Sequence, residues 1–253
     1  RSDEPAMQYA YQKSEGTRYG EFYGYIAEGY FQSEEEIKKS PRQMRELAPG
    51  DIKYKDLNDD GVIDANDQCY LGKSWFPSWS YGMGFNINYH NFDLALFFQG
   101  VSDVSIMANG GSIDTGNGDW GASGVGIVPF TGMGLNPSNV ITKALDRWTA
   151  DNPRADAWYP RMTANATTND NNYVNSTHWL KDGSYLRLKQ ASLGYTLENK
   201  KLMDKGIEYL YFYLSGQNLL TFSKFKLWDP ELGSNGAKYP LSRMVTLGMR
   251  VSF

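Results

Sequence analysis

The stretch 56–67 carries oxygen-bearing side chains at a spacing that suits a metal ion. Loop positions 1, 3, 5, 9 and 12 are filled by Asp56, Asn58, Asp60, Asp64 and Asp67, as in the calcium loop of an EF-hand. Gly61 supplies the sharp turn at position 6, and Val62 at position 7 offers its backbone carbonyl. The sequence therefore predicts calcium as a cofactor, bound by Asp56, Asn58, Asp60, Val62, Asp64 and Asp67.

The flanks of this stretch differ from those of an EF-hand. Residues 51–55 and 68–71 have an extended rather than a helical pattern, so we expect a calcium loop without a signalling helix pair. Asp67 stands where Glu is usual, and its shorter side chain weakens bidentate closure. The alternative is an Asp- and Asn-rich surface turn that binds no metal.

Composition narrows the class of protein that must position this loop. The chain has 253 residues, of which 41% are hydrophobic and 15% aromatic, with 26 Gly and a net charge of −4. No apolar run reaches the roughly 18 residues of a membrane helix, and no basic stripe suggests nucleic acid as a partner. A single Cys69 and two His give neither a disulfide framework nor a credible nucleophile. We find no general acid and base pair, and we expect no enzyme activity.

Alternating apolar residues predict β-strands at several places from residue 81 to the end of the chain. In 244–253 one face carries Val245, Leu247, Met249, Val251 and Phe253. The same alternation marks 81–89 and 92–98, which His90 and Asn91 join as a tight hairpin. Further strands are predicted at 185–197 and 207–220, and a change of parity near Lys189 and Gln190 suggests a bulge.

The links between these strands alternate in length. They are 90–91, 103–184, 198–206 and 221–242, that is short, long, short and long, as in outer-membrane barrels with short periplasmic turns and long outer loops. The prediction is an all-β chain, with 75–253 as transmembrane barrel strands and 103–184 and 221–242 as outer loops. Residues 1–74 are predicted to be an extracellular loop region with one possible strand in 18–31. Since five or six strands cannot close a membrane barrel, we expect the chain to be the C-terminal part of a larger one.

Four aromatic residues of the predicted outer loops are candidates for substrate contact, namely Trp120, Trp158, Tyr159 and Trp228. Their rings could stack on sugars or on peptide side chains. The alternative for each is packing within the loops or in an aromatic girdle.

Several segments, taken in order along the chain, resemble the C-terminal region of SusC/RagA-type TonB-dependent transporters. They are GEFYGY at 20–25, GYFQ at 29–32, PGDIKYKDLNDDGVID at 49–64, FDLALFFQG at 92–100, RW at 147–148, DGSYLRLK at 182–189, LGY at 193–195, SGQNL at 215–219, DPE at 229–231 and the strand 244–253. Together they span nearly the whole chain.

The resemblance implies a location in the bacterial outer membrane of the Bacteroidota type and a plugged barrel of about 22 strands. It implies import of oligosaccharides or oligopeptides with a SusD-like surface lipoprotein as lid. The remaining barrel, the plug and the contact with TonB would lie in the family's N-terminal part. The terminal aromatic Phe253 resembles the signal read by the barrel-assembly machinery. Two other classes stay open: a soluble calcium-dependent carbohydrate-binding β-domain, and an outer-membrane adhesin without transport.

Overall fold

The computed structural model describes residues 7–109, 141–163, 170–234, 236 and 239–253. The helices and strands are β1 (Glu21–Gly24), β2 (Ala27–Tyr30), α1 (Glu34–Lys39), β3 (Ile52–Tyr54), β4 (Cys69–Ser74), β5 (Trp79–Tyr89), β6 (Phe92–Ser102), β7 (Ser105–Met107), β8 (Leu180–Asp182), β9 (Tyr185–Leu197), α2 (Lys200–Met203), β10 (Tyr209–Ser223) and β11 (Met244–Ser252). Short 3₁₀ turns lie between them. No helix in the described ranges has the length and apolar character needed to cross a membrane.

The chain divides into two compact units. The first, here called the loop unit, comprises 1–76, 105–182 and 231–238, and the second, the sheet unit, comprises 77–104, 183–230 and 239–253. The sheet unit holds a five-stranded antiparallel sheet in the order β11-β10-β9-β6-β5. The five long strands predicted from alternation are therefore present, with the predicted short turns between β5 and β6 and between β9 and β10.

The register of the sheet places a continuous set of apolar side chains from all five strands on one side, here called the apolar face. Ile87, Leu94, Leu193, Leu214 and Leu247 form one continuous row across the strands. A second row, nearer the short turns, is Tyr89, Phe92, Tyr195, Phe212 and Met249. These side chains are unusually open for apolar groups: Leu247 is 80% and Tyr89 70% exposed.

The predicted bulge on β9 is confirmed. Across β6 and β9 the pairing passes from Phe97 and Gln190 to Phe98 and Leu188, which leaves Lys189 without an opposite residue. Strand β10 has a matching irregularity between Gln217 and Leu220, where Asn218 adopts a left-handed φ of 52°. Because one extra residue reverses alternation, Leu186 and Leu188 join the apolar face and Arg187 points to the opposite side, here called the polar face.

Three tyrosines lie over glycines of neighbouring strands. A Cβ atom at Gly194 would meet the Tyr211 hydroxyl, one at Gly248 the Tyr213 ring and one at Gly100 the Tyr81 ring. On the polar face, the Tyr211 hydroxyl donates to Asp93 at 3.0 Å, and Arg250 lies 5.8 Å from the Tyr211 ring centre. The missing side chains of these glycines give the rings room to lie flat along the wall.

The loop unit has a core of its own, built from aromatic and amide side chains. Trp179 and Tyr159 are fully buried. Strand β3 pairs with β2 along one edge, and amide side chains bind its remaining backbone groups. The Asn172 side chain accepts from the Ile52 amide at 2.8 Å, and the Gln43 side chain accepts from the Tyr54 amide at 2.7 Å. These contacts hold the segment that leads into residues 56–67.

The segment 18–31 does not form one strand. It contains β1, which pairs with β4, and β2, which pairs with β3 in a separate two-stranded sheet. The break falls at Tyr25 and Ile26, and the Tyr25 amide donates to the Asn175 carbonyl at 2.9 Å instead of continuing either ladder. Both strands belong to the loop unit, not to the five-stranded sheet.

Candidate functional site

The segment 56–67 is an ordered loop whose side-chain oxygens accept hydrogen bonds from its own backbone. Asp56 accepts from the amides of Asp59 at 2.7 Å and Gly61 at 2.8 Å, and Asp60 accepts from Val62 at 2.8 Å. Gly61 has a φ of 81°, a backbone conformation that glycine adopts without steric cost. The predicted tight turn at position 6 is thus present.

The loop is anchored on both sides. The Arg42 amide donates to the Gly61 carbonyl at 2.9 Å, and the Ile63 amide donates to the Arg42 carbonyl at 2.7 Å. Asp67 is fully buried and accepts from the amides of Leu57 at 2.8 Å and Asp64 at 2.9 Å. Asp67 therefore closes the ends of the loop onto each other.

Within the described part of the chain, no three Asp, Glu, His or Cys side chains are grouped so that they could hold a metal ion. The reason lies in the hydrogen bonds above, which turn each carboxylate towards nearby amides. Each carboxylate oxygen has a second lone pair, so these hydrogen bonds leave acceptor capacity for a cation. Calcium binding by this loop stays a prediction.

The four aromatic candidates have different surroundings. Trp120 lies outside the described residues. Tyr159 is 0% exposed, packed 4.5 Å from Trp158 and 5.6 Å from Trp179. Its prediction as a substrate contact is wrong, because additional chain can only bury it further. Its role is to pack the loop core.

Trp158 and Trp228 are half-buried and keep some surface. Trp158 belongs to the loop unit, where its ring faces the Lys181 ammonium at 5.3 Å. Trp228 belongs to the sheet unit, where it packs edge-on against Phe225 at 4.8 Å. A part in substrate contact stays a prediction for both. Phe253 follows β11 and is 84% exposed, and its role in assembly likewise stays a prediction.

Sequence reasoning missed two ion pairs that each have a buried member, and a half-buried histidine. Arg161 makes paired hydrogen bonds of 3.0 and 2.9 Å to Asp51, which is 1% exposed. Arg187 contacts Asp229 at 2.5 Å. Burial lowers the pKa of His178 to about 4, with a smaller contribution from the positive charge of Lys181. No local pattern could have indicated these residues, because most of their partners are distant in sequence.

The two ends of the apolar face carry aromatic residues. Trp79 and Tyr89 lie ten residues apart on β5, which is about 34 Å along a strand. At a tilt of about 45° this spans about 24 Å, close to the height of the apolar band of an outer-membrane barrel. An exposed apolar face with aromatic ends suits a strand wall in contact with lipid.

Comparison with known proteins also indicates an outer-membrane barrel. No protein-family model matches the chain. Two curated relatives from Formosa agariphila are TonB-dependent receptor P26, 30% identical over 89% of this chain, and TonB-dependent receptor P3, 28% identical over 94%. The chain spans 22% of the length of each, so it corresponds to about a fifth of such a receptor.

Solved structures of a peptide importer have the same fold. The RagAB peptide importer in its closed-closed state matches with a TM-score of 0.62 and 25% identity over 92% of this chain and 23% of its own. Its open-open state matches with a TM-score of 0.61 and 23% identity. The chain therefore belongs to the SusC/RagA-type TonB-dependent transporters of the bacterial outer membrane, as a C-terminal portion of their barrel.

Proposed function

We propose that this chain forms wall strands and outer loops of a TonB-dependent importer of oligopeptides or oligosaccharides that works with a SusD-like surface lipoprotein. The observation that carries this proposal is the continuous apolar face of the sheet, whose rows extend in register across all five strands. Such a face suits a wall embedded in lipid, with the polar face lining a transport path.

The proposed mechanism assigns this chain a passive but necessary part. The lipoprotein opens at the cell surface, cargo is captured between it and the outer loops, and TonB rearranges the plug to free a path. The remaining barrel strands, the plug and the TonB contact come from the rest of the parent protein. The side chains of Asp93, Tyr211 and Arg250 give the polar face donors and acceptors that suit either cargo.

Peptides are the cargo to test first. The solved structures similar to this chain are those of a protein named as a peptide importer. Peptides also suit a path that offers both tyrosine rings and charged groups, because backbone amides and apolar side chains would find partners there.

The test is an uptake assay in cells that express the full parent protein with its lipoprotein. Isotope-labelled oligopeptides and oligosaccharides are supplied separately, with and without a functional TonB. We expect TonB-dependent uptake of one class. Equal uptake in cells that lack the transporter, for both classes, would refute import.

We further propose that calcium stabilises the loop 56–67. Support comes from the EF-hand-like spacing, from the turn at Gly61 and from the concentration of Asp56, Asp60 and Asp64 in one ordered loop. Their mutual repulsion would fall when a cation binds. The protein would then use the ion as a brace for an outer loop, with Asp67 already holding the loop ends together.

Two adjacent carboxylates allow a matched comparison. Asp60 is at a ligand position, whereas Asp59 is at position 4 and has a φ of 59°, which Asn tolerates. We expect Asp60→Asn to weaken calcium binding at least tenfold in a calorimetric titration of the intact transporter, and Asp59→Asn to change it little. Equal effects would indicate general charge attraction, and no binding by the wild type would refute the site.

A further inference from the structure

A buried ion pair joins two of the segments on which the family resemblance rests. Arg187 lies in the DGSYLRLK segment and Asp229 in the DPE segment. The Arg187 Nη2 atom is 2.5 Å from Asp229 Oδ1, and the two side chains are 2% and 16% exposed. The pair thus ties β9 to the segment that follows β10.

The bulge on β9 determines which side of the wall this pair occupies. Leu186 and Leu188, on either side of Arg187, pair with Phe222 and Leu220 in the rows of the apolar face. Arg187 therefore points to the polar face, which is the interior of the barrel. Asp229 must reach the same side to contact it.

The segment 224–230, here called the inner segment, is anchored at both ends. Phe225 is 6% exposed and Pro230 is buried. The Ser223 hydroxyl donates to the Ser184 carbonyl at 2.8 Å and accepts from the Phe225 amide at 3.1 Å. One apolar anchor and one ion pair thus hold the two ends of the segment.

The ion pair gives the inner segment a strong preference for this position. If Asp229 left, Arg187 would remain on the wall as a buried charge without its carboxylate, a state that costs much more than losing an exposed pair. Trp228 immediately precedes Asp229 and packs on Phe225 at 4.8 Å. The pair and the contact with Phe225 thus restrict the position of the half-buried Trp228 ring.

We propose that the Arg187–Asp229 pair locks the inner segment inside the barrel as a constriction, and that Trp228 contacts cargo there through its ring. This proposal rests on the proposed import function. The chemistry that an indole ring recognises is a flat ring face or an apolar group, such as an aromatic peptide side chain. Arg187 and Asp229 are positioning residues, and only Trp228 would touch cargo.

The lock is tested by hydrogen exchange on the intact transporter in lipid nanodiscs. We expect amides of 225–229 to exchange at least tenfold faster in Asp229→Asn than in the wild type, while β9 and β10 keep their protection. Asp229→Glu, which retains the charge, should stay close to the wild type, as should Lys224→Gln in the same segment. Unchanged exchange in Asp229→Asn, or equal loss of protection in β9, would overturn the lock.

The cargo contact is tested by uptake of two synthetic peptide mixtures, one with aromatic side chains and one without. Trp228→Ala should lower uptake of the aromatic mixture by roughly threefold to tenfold relative to the other, with hydrogen exchange of 225–229 unchanged. Equal uptake of both mixtures by this variant and the wild type would overturn the contact. If the wild type imports no peptide at all, peptide import fails, and the exchange result still decides the lock.

Discussion

The residues that form the most buried polar contacts in the structure are not the residues with the most recognisable sequence motif. The sequence directed attention to 56–67, where spacing within twelve positions is informative. Asp51, Arg161 and Asn172 carry no such signal, yet the Asn172 side chain donates to Asp51 at 2.8 Å and Arg161 binds the same carboxylate. Partners more than a hundred positions apart cannot be paired from one sequence, whereas a local calcium-type loop can be proposed from it.

His178 makes the loop unit sensitive to acid. Its folded-state pKa of about 4 is below the ordinary 6.5, so the unfolded chain binds the extra proton as pH falls through this interval. The stability that neutral His178 contributes to the fold is fully present above about pH 6.5 and is lost as the pH falls towards 4. We expect up to about 2 kcal/mol less stability at pH 5 than at pH 8 from this group, measured as lower hydrogen-exchange protection factors in 173–181, each taken relative to the intrinsic exchange rate at the same pH.

The control is His178→Gln, which removes the titrating group. This variant should be less stable at both pH values but should lose less between them. An unchanged pH dependence would show that acid acts through other groups.

Individual strands were predictable because their signal is local. Alternation over about ten residues is enough to define β5, β6, β9, β10 and β11, and the parity change revealed the bulge at Lys189. The partners of short strands were not predictable. Strands β1 and β2 lie in one apolar-rich stretch but pair with β4 and β3 in separate sheets, and nothing in their few residues specifies that choice.

Deletion of Leu188 should prevent assembly of the barrel. Without this residue, alternation through β9 turns either Lys189 or Arg187 towards lipid. A Lys or Arg on the lipid side costs about 2–4 kcal/mol at the bilayer midplane and less near its edge. The measurement is the fraction of protein that runs as a folded, heat-modifiable band after extraction.

The matched control is deletion of Lys189, which removes the unpaired residue and keeps Leu188 on the apolar face and Arg187 on the polar face. It should assemble almost as well as the wild type. Equal assembly of the Leu188 deletion would mean that the orientation of these side chains does not decide assembly.

The glycine at 248 should be replaceable only together with its tyrosine. A side chain there would collide with the Tyr213 ring, so Gly248→Val should lower the melting temperature of the assembled barrel. Adding Tyr213→Ser should recover part of the loss by removing the ring. Gly84→Ala on the same face serves as a control, since its Cβ would lie 3.8 Å from its nearest neighbours, and a double variant no better than Gly248→Val would contradict the explanation.

In the described residues, the five-stranded sheet has two open edges. Strands β5 and β11 are the outermost strands of the sheet, and each is paired along one edge only. The outer-membrane location excludes the soluble carbohydrate-binding alternative, and it explains the exposed apolar face. The receptor class followed from the combination of motifs along the chain, while the cargo could not be predicted, since no single residue type distinguishes a peptide path from a glycan path.

The isolated 253-residue chain should not persist as a monomer in water. Its exposed apolar face and unpaired strand edges favour association with other copies. We expect size-exclusion chromatography with light scattering to show aggregates without detergent and smaller species with it. A stable detergent-free monomer would contradict the assignment of the apolar face to lipid.

The hydrogen bonds of the loop unit also affect the order in which the chain can fold during synthesis. The Ala27 amide donates to the Thr177 hydroxyl, 150 positions later, and the Asp51 carboxylate accepts from Arg161, 110 positions later. The β5–β6 hairpin, by contrast, closes across two residues, and closing a short loop is fast whereas distant contacts form slowly. The Ala27 amide and the Asp51 carboxylate therefore remain without these partners while 77–104 and the residues after it are made, although β1 can already pair with β4 and β2 with β3.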